Sequence, residues 1–246
     1  MNINPIAFTV FGIDVRWYGL LIGIAMLLGM FLCYFRAERF DIDREKVLDI
    51  CIFCLPAAII GARAWYVIFN WESYCHGSIL DMINVRHGGL AFHGGLILAV
   101  ATALFLCHRW KFGTWNLLDL AAPAVALGQA IGRWGNFFNQ EAHGGPTNLP
   151  WAIEVGGEMV HPTFLYESLW CLLLFVFLMW LSRRRRFGGQ IFLLYVILYS
   201  VERFFVEWLR TDSLMIFGFK TAQLVSLAAI IAGLIIYYIR RKRNVI

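Results

Sequence analysis

Arg63, Arg133 and Arg203 stand inside otherwise apolar stretches, as do Tyr18, His93, Glu167, Glu202 and Glu207. A guanidinium is planar, permanently charged and donates five N–H groups in a fork that fits two oxygens of a phosphate or carboxylate. Two readings follow. The arginines receive an anion, or they pair with Glu141, Glu167, Glu202 and Glu207 as structural bridges. For any single arginine both readings stay open; for the whole set, a phospholipid phosphate or another anion is favoured. His93 lies in Ala91-Phe92-His93-Gly94-Gly95-Leu96, where two glycines allow close backbone approach at a helix start. A neutral imidazole suits a general base, with cross-helix hydrogen bonding as the alternative. No G-x-S-x-G elbow and no H-E-x-x-H pairing occurs, so neither a serine hydrolase nor metal catalysis is indicated. Cys51 and Cys54 form a C-x-x-C without nearby histidine and read as buried small hydrophobes.

The elements carrying these residues are membrane-like. Of 246 residues, 60% are hydrophobic and 15% charged, against about 25% charged in a soluble domain, and the mean hydropathy is +0.67. A chain this short cannot hide so much apolar surface in one soluble core. A soluble globular enzyme, a disordered chain and a collagen-like fibre are thereby set aside. The expected fold class is an all-α polytopic membrane protein, one integral domain over residues 1–246. Seven apolar runs are long enough for transmembrane helices: Trp17 to Phe35, Val47 to Phe69, Leu90 to Cys107, Asn116 to Gly132, Phe164 to Ser182, Gln190 to Val206 and Thr221 to Ile239.

Charge orients them. Arg36, Arg39, Arg44 and Lys46 follow the first run, and Arg109 and Lys111 the third. Arg183 to Arg186 follow the fifth, and Arg240, Arg241, Lys242 and Arg243 the seventh. These 14 of 21 basic residues fall on one side, which should be the cytoplasm, leaving the N-terminus outside and the C-terminus cytoplasmic. The net charge of +5 therefore orients the chain and does not indicate nucleic acid. The outward loops 70–89 and 133–163 are polar and Gly-rich and read as a small extracytoplasmic cap. At 1.5 Å per residue, His93, Arg63, Arg203, Glu167, Tyr18 and Arg133 all come out about 20–26 Å above the cytoplasmic helix ends. Asp49 and Asp119 do not reach that layer.

The segment Gly132-Arg133-Trp134-Gly135-Asn136-Phe137-Phe138-Asn139-Gln140-Glu141-Ala142-His143-Gly144 resembles the signature G-R-x-G-N-F-x-N-x-E-x-x-G of prolipoprotein diacylglyceryl transferases, eight fixed positions in thirteen. Further likeness lies in Trp17-Tyr18-Gly19, Phe92-His93-Gly94-Gly95, His161-Pro162, Leu165-Tyr166-Glu167 and the R-x-x-x-E of Arg203 and Glu207. The resemblance implies a multi-pass enzyme of the bacterial plasma (inner) membrane with an active site facing the outer leaflet. It implies transfer of the diacylglyceryl group of phosphatidylglycerol to the lipobox cysteine of a prolipoprotein signal peptide, with glycerol phosphate leaving.

On that reading His93 accepts the thiol proton, and Arg133 and Arg203 neutralise the phosphate. Asn136 and Tyr18 orient the headgroup, with Glu141 and Gly144 completing the lipid site. Arg63, Asn139, Tyr166, Glu167 and Glu207 support it. No cofactor or metal is required. A transporter or flippase for an anionic lipid or solute is the rival, although no internal repeat is visible. Two features depart from the family pattern: the stretch between Asn139 and His161 is short, and Glu202 directly precedes Arg203, with which it could pair.

Overall fold

The computed structural model describes residues 3–74, 78–84, 88–211, 213–216 and 218–243; parts of the 70–89 loop thus lie outside the described residues. The chain begins with strands β1 (Ile6–Val10) and β2 (Ile13–Arg16), which run directly into helix α1 (Trp17–Arg36). Then follow α2 (Arg44–Phe69), the short α3 (Trp71–Tyr74) and α4 (Ile79–Ile83), α5 (Phe92–Trp110) and α6 (Thr114–Phe138). A hairpin of β3 (Ile153–Val155) and β4 (Glu158–Val160) precedes α7 (Thr163–Ser182) and α8 (Gln190–Leu209). A last hairpin, β5 (Met215–Ile216) with β6 (Phe219–Lys220), leads into α9 (Thr221–Arg243).

The seven long helices coincide with the seven apolar runs, but composition separates them. Five segments are long and apolar enough to cross a membrane: Trp17–Phe40, Arg44–Phe69, Phe92–Trp110, Thr163–Ser182 and Thr221–Arg243. The helices α6 and α8 are as long but carry more polar side chains, among them Asp119, Gln129, Arg133 and Asn136 on α6 and Glu202, Arg203 and Glu207 on α8. The end of α6 also differs from expectation. The helix continues past Gly132 to Phe138, so Arg133 and Asn136 are helical rather than part of a loop. It stops where Gln140 and Ala142 take φ of 53° and 57°, a left-handed conformation that cannot continue an α-helix. The three small hairpins lay beyond a purely helical expectation; they are too short for hydrophobic periodicity to reveal.

The chain divides into two compact units, one of residues 1–33 and 118–246, the other of residues 34–117. In the first unit, α1 runs antiparallel to α6. Trp17 stacks on Phe138 with ring centroids 4.9 Å apart, Tyr18 covers Gly135, Ile22 meets Gly132, Gly29 meets Ala124, and the Cys33 thiol reaches the Leu120 carbonyl at 3.7 Å. Gly135 must be glycine here, because a Cβ would overlap the Tyr18 ring. This contact joins Tyr18 of the W-Y-G motif to the signature segment on α6. Helix α7 joins α6 through Trp134 Nε1, which donates to Ser168 Oγ at 3.1 Å, while Ser168 Oγ donates to the Ala130 carbonyl at 2.8 Å. Buried Asp119 on α6 accepts from the backbone N–H groups of Gly189 and Phe192 at 2.7 and 2.8 Å and pairs with Arg185 at 2.8 Å. It caps the N-terminus of α8, where the helix dipole favours an anion.

In the second unit, α2 starts at Arg44, three residues before the apolar run, because Asp43 accepts from the Glu45 N–H at 3.0 Å as its N-cap. It packs on α5 at glycines. A Cβ on Gly61 would lie 2.6 Å from that of Leu98, and one on Gly94 would meet the Gly61 backbone. Close glycine contact of this kind is how helices associate where water is absent. The Ala91 N–H donates to the Ala62 carbonyl at 3.0 Å, fixing where α5 begins.

Candidate active site

Arg133, on α6, points its guanidinium at Glu167 of α7, with which it forms an ion pair. Arg203, on α8, pairs with the same carboxylate through its other oxygen at 3.3 Å and with Glu207 one turn on at 2.7 Å. Glu167 is 1% exposed and Glu207 3%, while the arginine side chains keep 20% and 18% of their surface open. One buried carboxylate thus holds two guanidinium groups that stay partly accessible. Three helices contribute, each presenting the group from its i, i+4 face: Gln129 and Arg133 from α6, Glu167 and Cys171 from α7, and Tyr195, Tyr199, Arg203 and Glu207 from α8. Tyr199 is an electrostatic neighbour of Arg133, and Tyr195 donates to Gln129 Oε1 at 2.9 Å and stacks on Tyr199 at 5.8 Å. Tyr199, Tyr195 and Gln129 were not singled out from sequence. Their signal was the spacing of 195, 199 and 203 along one face of α8.

Glu202 behaves differently from the expectation that it could pair with Arg203. Its carboxylate is 6% exposed, and neither oxygen has a hydrogen-bond partner among the described residues, although Glu167, Arg133 and Arg203 are its charged neighbours. The i, i+1 spacing is the reason: successive side chains on a helix diverge by about 100°. Arg203 therefore turns to Glu167 and Glu207 and leaves Glu202 aside.

The signature segment closes on itself beyond α6. Asn136 Nδ2 and Asn139 Nδ2 both donate to Glu141 Oε1, at 3.0 and 3.2 Å, and the Glu141 N–H donates to the Asn136 carbonyl at 3.0 Å. Glu141 is thus held by asparagines, and among the described residues it forms no ion pair with Arg133 or Arg203. Gly144 is a buried junction: its N–H donates to the His161 carbonyl at 2.9 Å, it bridges to Arg210, and a Cβ there would lie 2.7 Å from that of His161. Thr163 Oγ1 donates to the Ala142 carbonyl at 2.5 Å, tying the segment to α7. The Tyr166 hydroxyl accepts from Trp151 Nε1 at 2.8 Å and lies 3.4 Å from His161 Nδ1. Tyr18 is 41% exposed with its ring on Gly135, one residue from the helical turn of Asn136.

Eight of the sequence candidates therefore gather around the α6–α7–α8 end: Tyr18, Arg133, Asn136, Asn139, Glu141, Glu167, Arg203 and Glu207. A family model for prolipoprotein diacylglyceryl transferase matches residues 5–239. The chain belongs to that family. Similar proteins include the phosphatidylglycerol–prolipoprotein diacylglyceryl transferases of Finegoldia magna, 50% identical over 99% of this chain and 98% of the relative, and of Clostridioides difficile, 44% identical over 98% and 97%. That of Geobacillus kaustophilus is 45% identical over 94% of this chain and 90% of its own length.

Arg63 and His93 belong to the other unit of this transferase. Arg63 is buried, and its five N–H groups meet five acceptors: Nε the Met82 carbonyl at 2.8 Å, Nη1 those of Gly88 and Gly89 at 3.0 Å, and Nη2 the Asp81 carbonyl at 2.7 Å and the Tyr74 hydroxyl at 3.4 Å. The guanidinium also lies over the rings of Tyr66 and Tyr74. Among the described residues Arg63 pairs with no carboxylate, and all five of its N–H groups are committed. It clamps the connection between α2 and α5. His93 stands in the first turn of α5 and is exposed, with its ring edge-on to Phe92 at 5.9 Å.

Proposed function

We propose that this transferase moves the diacylglyceryl group of phosphatidylglycerol onto the lipobox cysteine of prolipoprotein signal peptides. The observation that carries the site assignment is the convergence of Arg133 and Arg203 on Glu167. A lone buried guanidinium would cost several kcal/mol, whereas a paired one waits at low cost. The arriving lipid phosphate replaces Glu167 as partner, so binding is an exchange of anions around two preoriented forks. Asn136 and Tyr18 orient the headgroup, and Glu141 holds Asn136 and Asn139. Gly144 and Tyr166 shape the backbone and wall around it, and Arg63 holds its own loop.

The reaction is substitution at the glycerol carbon bearing the phosphate ester. The thiolate forms the C–S bond, the C–O bond breaks, and the electron pair leaves with glycerol phosphate, whose charge the arginines stabilise. The thiol proton passes to His93, directly or through a water.

The same reading places all seven long helices across the bacterial plasma membrane, with the four basic clusters in the cytoplasm, the N-terminus outside and the active site at the outer leaflet. The polarity of α6 and α8 fits this placement, because Arg133 and Arg203 pair with Glu167 and Glu207, and Asp119 with Arg185, rather than meeting lipid. The test is a mass measurement. Membranes holding this chain, phosphatidylglycerol and a lipobox peptide should yield a peptide carrying a thioether-linked diacylglyceryl group. A peptide of unchanged mass, with the protein folded, would reject the assignment.

A further inference from the structure

The strands β1 and β2 form a hairpin whose two turn residues, Phe11 and Gly12, both have positive φ, 50° and 77°. This is the turn type whose first position favours Asn, Asp or Gly, and a phenylalanine there is conformationally strained. Yet Phe11 occupies it with its side chain 100% exposed. The register pairs Phe8 with Val15 and Thr9 with Asp14. Side chains alternate across a strand, so Phe8, Val10 and Val15 share one face, while Thr9 and Asp14 share the other and are joined by a hydrogen bond of 2.7 Å. Phe8 and Val10 are also exposed, at 48% and 44%. The hairpin is therefore amphipathic, with an aromatic residue at its tip and an apolar face left largely open by the described residues.

Its position says what covers that face. No linker separates β2 from α1, and the Trp17 N–H donates to the Pro5 carbonyl at 3.0 Å, so the hairpin base is fixed to the first turn of an apolar segment long enough to cross a membrane. Only 6% of that segment's most apolar stretch is buried within the protein, so the surface it leaves open beside its contact with α6 runs on into the hairpin. The arrangement recurs before α9. The Thr221 N–H donates to the Leu214 carbonyl at 2.9 Å, and Leu214, Met215 and Phe219 around the β5–β6 hairpin are exposed at 78%, 58% and 63%.

We propose that the β1–β2 hairpin is an interfacial foot. Phe11 and the Phe8–Val10 face lie in the headgroup–acyl boundary of the membrane face where α1 begins, and the β5–β6 hairpin does the same before α9. Amphipathic elements with aromatic residues partition to this zone, since the apolar face leaves water while the polar face stays hydrated. The foot fixes the depth of α1, and through the Tyr18–Gly135 contact it fixes the depth of the signature segment at the end of α6. It rests on the membrane placement of α1 and not on the chemistry assigned to the arginines.

The test places the photoreactive residue p-benzoylphenylalanine singly at positions 8, 9, 11, 27 and 219 of the full chain, in vesicles of phosphatidylglycerol and phosphatidylethanolamine. Adducts are read by mass, and transferase turnover is followed separately for each variant. Position 27, an exposed leucine midway along α1, is the lipid-facing reference. Phospholipid adducts are expected at 8, 11 and 219 with yields within a small factor of that at 27, and little adduct at 9. Lipid adducts at 27 but none at 8 and 11 would overturn the proposal, as would equal yields at 9 and 11. Capture of an added lipobox peptide in place of lipid at position 11 would also overturn it, making the hairpin a peptide surface. Loss of turnover with the adduct pattern intact would count against the transferase reading alone.

Discussion

Arg133 and Arg203 look alike in sequence, each an arginine in an apolar run, but their partners differ: Arg133 shares Glu167, and Arg203 adds Glu207. If Arg133 grips phosphate through its fork, lysine keeps the charge and loses the second contact. Arg133→Lys should then cost about 1.5–3 kcal/mol of transition-state stabilisation, roughly a 10- to 150-fold fall in kcat/KM. Initial rates against phosphatidylglycerol concentration at matched protein levels check this, and unchanged kinetics would reduce Arg133 to a source of charge. His93→Gln keeps hydrogen bonding but removes the proton acceptor. A base role predicts a drop in turnover of roughly 10²–10⁴-fold with little change in lipid binding, and full activity would leave His93 a positioning role. Two neighbouring glutamates give a sharper contrast. Glu167→Gln strips the shared anion from two guanidinium groups and should cost about 3–5 kcal/mol of stability. Glu202→Gln removes a charge that neither oxygen has committed to a partner, and should stay within about 1 kcal/mol of wild type. Thermal midpoints of the two variants in detergent should rank in that order; equal losses would contradict the pairing.

Helix ends carry much of the order of this fold. Asp119 spends both oxygens on the first N–H groups of α8 and on Arg185, so it locks the α7–α8 turn against α6. Asp119→Ala leaves those N–H donors without their acceptor and takes the carboxylate partner from Arg185 in a buried place. It should lower stability by about 3 kcal/mol or more, while the protein that remains folded turns over normally, because the active-site cluster lies at the other end of these helices. Activity per folded molecule, measured beside the melting midpoint, separates the two effects. A loss of kcat without a loss of stability would show that Asp119 acts on the site.

For the whole molecule, the prediction is sidedness. On the proposed placement, seven spans would put the basic clusters together on the cytoplasmic face. Cysteines placed at Ser182, the last residue of α7, and at Gly145, in the segment beyond the signature, should then react with a membrane-impermeant reagent from opposite sides. Labelling of both from one side would end the seven-span arrangement. The two glutamine variants and the sidedness test are independent, since pairing within α6, α7 and α8 does not depend on which face is outside.

Apolar run length marked the seven long helices in advance, five of them long and apolar enough to cross a membrane, because a span must satisfy its own backbone inside lipid. The thirteen-residue signature and the smaller motifs identified the family and marked Arg133, Asn136 and Glu141 in advance. Sequence could not decide whom each buried charge faces. Hydrophobic periodicity reports burial and not partnership, so Glu202 beside Arg203 looked like a pair. Helical geometry instead sends Arg203 to Glu167, 36 residues away. Arg63 read as a supporting member of the arginine layer, open to an anion or a carboxylate, whereas tertiary structure fills its five donors with carbonyls and a tyrosine hydroxyl. Partnership depends on which helix faces meet and at what height, and only the folded chain sets that.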